Sequence, residues 1–96
     1  MKSREEEILH YKMTTADGRK VVDNAIRLLD HNQVLEVEYQ LLAPAVAFLC
    51  LLEVANIKVS DVLGIAHQIA YDNGDEWKQQ RLRGVKHFLK NEWKLN

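Results

Sequence analysis

LLAPAVAFLCLLEVAN, residues 41–56, has almost no polar face. Every residue from Ala45 to Leu52 is apolar. Pro44 suits the first turn of a helix, where its missing N–H leaves no bond unmade. It also disfavours α conformation at Ala43. The stretch therefore predicts a chain break near Ala43 and a helix over 44–56. A helix apolar all round is normally buried on several sides. The fold class that follows is all-α: a compact bundle of about five helices around a central apolar helix, residues 44–56. The chain left to wrap this helix is short, so a second copy, making a homo-oligomer, is a candidate for the remaining cover.

The rest of the chain supports a bundle. Ser3 to Glu6 reads S-x-x-E, a capping box that opens a short helix near Arg4 or, failing that, a frayed arm over residues 1–13. Thr14 to Asp17 reads as a second cap. Val22, Ala25, Ile26 and Leu29 then share one face of a helix over about 15–30. Residues 34–42 alternate like a strand, but also fit a helical face. Only Ile57-Lys58-Val59 offers a pairing partner, so helix is preferred. Ser60 is placed as the N-cap of a helix to about Asp72, with Val62, Ile65, Ala66 and Ile69 inward and Asn73-Gly74 as its stop. Asp75 opens a last helix over 76–93, with Leu82, Val85, Phe88, Leu89 and Trp93 on one side and Trp77 at its edge.

Ninety-six residues make one domain, with a modest core. Net charge is −1, but unevenly spread. Residues 75–96 hold six Lys or Arg against three Asp or Glu, whereas residues 1–74 hold seven against eleven. One cysteine, Cys50, excludes an internal disulfide and any multi-cysteine zinc site. Among apolar sequence neighbours it reads as a small buried hydrophobe. The charged start, MKSREEEILHYK, lacks the apolar core of a signal peptide. The longest uncharged run, Tyr39 to Leu52, falls short of the roughly 20 residues of a spanning helix. A cytoplasmic protein with no membrane contact is expected.

Little in the sequence carries chemistry. Glu7 to His10 matches one E-x-x-H, but the di-iron bundles need two such motifs and two further carboxylates. No nucleophile elbow, glycine-rich phosphate loop or spaced Cys–His pair is present. The chain is read as a non-enzyme without metal or cofactor.

Two outward faces are the candidate binding residues, and another protein is the expected partner. On the last helix Arg83, Lys86, Lys90 and Lys94 form a basic stripe, with Trp77 and Trp93 nearby; Trp and Arg are favoured at interfaces. On the helix from Ser60, the set is Gly64, His67, Gln68 and Tyr71. The function expected is a small adaptor, regulator or inhibitor that occludes a partner protein. Small accessory proteins of phages and mobile elements are often built in this style. The alternative is a helix-turn-helix-like DNA-binding regulator using residues 56–71 and the basic C-terminal helix. Against it, Asp61 would face the phosphates and no Lys or Arg follows until Lys78.

Overall fold

A computed structural model describes residues 3–72 and 74–94. Five helices follow one another: α1 (Arg4–Thr14), α2 (Gly18–Asn32), α3 (Val37–Ala55), α4 (Val59–Ala70) and α5 (Glu76–Trp93). The fold is an all-α bundle, and no strand occurs among the described residues.

The caps explain most of the boundaries. Ser3 and Glu6 form a complete capping box, each side chain bonded to the other's backbone N–H, so the N-terminal segment is a true helix. The helix α2 starts at Asp17, not Thr14. The hydroxyl of Thr14 donates back to the Tyr11 carbonyl and helps to end α1, while the Asp17 carboxylate accepts from the N–H groups of Arg19 and Lys20. Ser60 lies inside the first turn of α4; the cap position is Lys58, without a side-chain bond. Gly74 donates its N–H to Asp72, an Asx turn that redirects the chain into α5. Asn73, expected in the stop signal, lies outside the described residues.

No break occurs at Ala43. The helix α3 runs unbroken through Pro44, from seven residues before the expected start. Proline removes one backbone bond, the one from position 44 to the Gln40 carbonyl, and the helix continues with Ala43 and Pro44 both exposed.

The tightest packing is α2 against α4 and α5. Val22 is 3% exposed and is the only apolar side chain fully buried among the described residues. Ala25, Ile26 and Leu29 on the same face are half-buried, as are Ile65 and Ile69 of α4 and Leu82, Val85 and Leu89 of α5. The expectation that Ala45 to Leu52 are shielded on every side is not met. Only Phe48 and Leu52 of that run are even half-buried, and Val54 just beyond is 89% exposed. Cys50 is exposed as well. The physical reason is supply: α2, α4 and α5 spend their apolar faces on one another and have none left to enclose α3. The molecule is accordingly drawn out, 46 × 31 × 21 Å, with a radius of gyration of 14.9 Å. A chain of this length packed as a ball would have about 12.5 Å.

Gly64 sits mid-helix on α4, and a Cβ there would meet nothing within 4 Å. The same is true of Gly84 on α5. Neither is required by packing. Gly84→Ala is expected to stabilise the fold by about 0.5–1 kcal/mol, seen as a raised thermal midpoint; an unchanged or lowered midpoint would mean that something does approach it.

Candidate interaction surfaces

The first surface spans the α4/α5 boundary. Ser60, Gly64, His67, Gln68 and Tyr71 are all exposed on one side of α4. Four-residue spacing stacks His67 on Tyr71, with ring centroids 4.5 Å apart and planes tilted by 41°. From α5, the Lys86 ammonium lies 5.0 Å over the Tyr71 ring and donates to its hydroxyl at 3.5 Å. Tyr71 is thus held between an imidazole and a cation from a second helix. The two sets of residues that the sequence places on separate faces form one continuous face.

The basic stripe extends that face. Arg83 donates to Glu76 at 3.2 Å and to the Gln79 carbonyl at 3.3 Å. Lys90 and Lys94 are exposed and make no ion pair among the described residues. Leu63 of α4, missed by the sequence reading, is exposed beside Gly64.

The tryptophans do different work. Trp77 is half-buried with two guanidinium groups over its ring, Arg19 at 5.3 Å and Arg81 at 5.0 Å. Those arginines also clamp α2 to α5: Arg19 bonds both oxygens of Asp75, and Arg81 bonds Asp23 at 2.9 Å. Trp93 is half-buried and donates its indole N–H to Gln40 at 3.1 Å, tying the end of α5 to α3. Both rings join elements of the bundle.

Carboxylates near the α2–α5 clamp are tuned accordingly. The Arg19 guanidinium, with help from the Lys78 backbone N–H, holds Asp75 below the usual carboxylate range. The Gly74 N–H, followed by the Lys78 ammonium, does the same for Asp72. At the start of α3, a hydrogen bond between Glu36 and Glu38 raises the Glu36 carboxyl. Glu36 lines a groove of about 220 Å³ between the start of α3 and the end of α5, with Gln40, Glu92 and Trp93. The groove between α2 and α5, about 570 Å³, is open and is lined by Asp30, Gln33, Gln80, Arg81 and Phe88. No group of three or more His, Cys, Asp or Glu able to hold a metal occurs among the described residues.

The second surface is α3. Val37, Gln40, Phe48, Leu52 and Ala55 form the stripe turned toward the rest of the chain. On the opposite side Tyr39, Leu42, Val46 and Leu49 are each 55–60% exposed. Along one flank, an open apolar groove of about 470 Å³ separates α3 from α1 and α4, lined by Leu9, Met13, Leu51, Val54 and Val62 among others. The side-chain amide of Asn56, in left-handed conformation at the end of α3, donates to Glu6 at 3.0 Å and anchors α1 there. The helix is longer than its uncharged run, and by length and composition alone it reaches what a bilayer crossing needs.

No family model, no curated protein and no solved structure matches the chain. Its surfaces are therefore the basis for a functional reading. The signal for the α3 surface was present in the sequence as an excess: more apolar residues in one run than so short a chain can cover.

Proposed function

We propose that the protein is a non-catalytic binding module that docks the α4/α5 face onto an acidic surface of another protein and occludes it. The observation that carries this reading is the setting of Tyr71. Its ring is fixed between His67 and Lys86 before any partner arrives. A pre-ordered aromatic anchor loses little side-chain entropy on binding, and Tyr is common at the centre of interfaces. Around it, Lys90 and Lys94 are exposed cations with no ion pair among the described residues, and Gly64 leaves room for close approach. The partner chemistry implied is a surface rich in Asp and Glu.

The test is capture from a lysate, run in parallel with Tyr71→Ala and Lys86→Glu. A specific partner should be retained by the native chain, elute with salt, and bind about 30-fold more weakly to Tyr71→Ala, equivalent to about 2 kcal/mol. Lys86→Glu should weaken it further at low salt than at high salt. Equal capture by all three proteins would end the proposal. Tight binding of duplex DNA at physiological salt, lost in Lys86→Glu, would favour the DNA-binding alternative instead.

A further inference from the structure

We infer that the groove between the start of α3 and the end of α5 is a binding site for a guanidinium group, received by the Trp93 ring and the carboxylates of Glu36 and Glu92. The groove has a volume of about 220 Å³, and Gln33, Gln40 and Leu89 help to wall it. It is more enclosed than the α2/α5 groove or the groove between α1 and α3. Drug-sized ligands fill pockets of about 300–1,000 Å³. This groove therefore has room for a small head group and its stem.

The charge of the site calls for a cation. Glu36 and Glu92 both line the groove, and no Lys or Arg does. Neither they nor Glu38 make an ion pair among the described residues. Lys94 follows Trp93 in the chain and pairs with none of them. Instead, the Glu36 carboxyl is hydrogen-bonded to that of Glu38, which requires a proton between two acids. The backbone adds the same sign. Helix α2 ends at Asn32 and α5 at Trp93, so two helix C-termini, each carrying partial negative charge, meet at the groove. The one opposing end is the start of α3, and Glu38 already covers it, its carboxylate bonded to its own backbone N–H.

The aromatic wall selects a planar cation. Trp93 is half-buried and donates its indole N–H to Gln40 Oε1 at 3.1 Å. Gln40 in turn donates Nε2 to the Leu35 carbonyl at 2.8 Å. The ring is thus fixed before any ligand arrives, and Trp is the aromatic that attracts cations most strongly. A guanidinium stacks flat on such a ring and presents its N–H groups, in plane, to carboxylates. An ammonium makes a point contact and holds its water more tightly. No group of three metal-ligating side chains forms among the described residues, so an organic cation fits the site better than a metal ion.

The experiment titrates the isotope-labelled full chain with N-acetyl-arginine amide at low ionic strength. The readout is the pair of indole N–H resonances of Trp77 and Trp93, assigned with Trp93→Phe. The Trp93 resonance should move and saturate with a Kd on the order of 1 mM, as one cation–π contact and one charged pair imply. The Trp77 resonance should stay in place, which reports an unchanged fold. Glu36→Gln and Glu92→Gln, both at exposed positions, should each weaken binding about 10-fold. Glu76→Gln, elsewhere on α5, and Tyr71→Ala on the α4/α5 face should leave it unchanged, so the two readings fail independently. The lysine analogue should bind at least about 10-fold more weakly, and the uncharged citrulline analogue should not bind. Two sources of guanidinium are told apart by size. Binding of a glycine-flanked arginine peptide as tight as that of the amide assigns the site to an arginine of a partner protein. Binding of ethylguanidinium with exclusion of the peptide assigns it to a small free cation. A Trp93 resonance unmoved at about 20 mM amide, equal binding of the citrulline analogue, or full affinity in both Gln variants would overturn the inference.

Discussion

Val22→Asp is expected to unfold the protein at room temperature. Val22 is 3% exposed, on the face of α2 that meets α4 and α5. Aspartate there loses the apolar contact and drives a carboxylate into the one place in the described chain that is closed to water around an apolar group. The combined cost is about 3–5 kcal/mol. Domains of this size have a total stability of about 5–15 kcal/mol, and a sparse core puts this one at the low end. Far-UV circular dichroism should show lost helicity, or a urea midpoint moved close to zero. The same replacement at Val46 on α3 should leave the fold of the single chain standing, because that side chain is 58% exposed. If Val22→Asp and Val46→Asp unfold at similar urea concentrations, the core does not lie between α2, α4 and α5.

Lys78 is the second sensitive position, for an electrostatic reason. It is 5% exposed, unlike the other lysines of α5. Its ammonium lies 3.4 Å from Asp72, and α2 makes room for it with a glycine: a Cβ on Gly18 would come within 2.9 Å of the Lys78 nitrogen. Lys78→Glu reverses the charge in a buried site and faces it with Asp72 and with Asp75, whose carboxylate bonds the backbone N–H of the same residue. A loss of about 3–5 kcal/mol is expected, as when a buried pair is broken. Lys78→Met keeps the unbranched length and removes the charge, and should stay within about 1 kcal/mol of the native protein. Urea unfolding of the three proteins separates the cases. A Met variant as damaged as the Glu variant would show that the ion pair with Asp72, and not the filling of the site, stabilises the start of α5.

Much of the helical content was legible residue by residue. The last helix was placed at its observed limits because Asp75 is a strong cap and the apolar period is regular to Trp93. The α4 face of Gly64, His67, Gln68 and Tyr71, and the stripe of Arg83, Lys86, Lys90 and Lys94, followed from period alone and are exposed as expected. Their convergence on Tyr71 was not legible, since the angle at which α4 meets α5 is set by packing and not by either sequence segment. The apolar run was read correctly as helix and wrongly as enclosed. Apolarity says that a residue gains by leaving water, but not which surface receives it.

By itself, then, the sequence determined where backbone hydrogen bonds close into helices, because caps, periods and breakers act within a few residues. It also determined that α3 carries more apolar surface than 96 residues can hide. Only the tertiary structure decided which faces are spent on one another. It spends those of α2, α4 and α5, draws Lys78 inward and leaves α3 in water, because burial is a competition among all faces of the chain for a core too small to take every one.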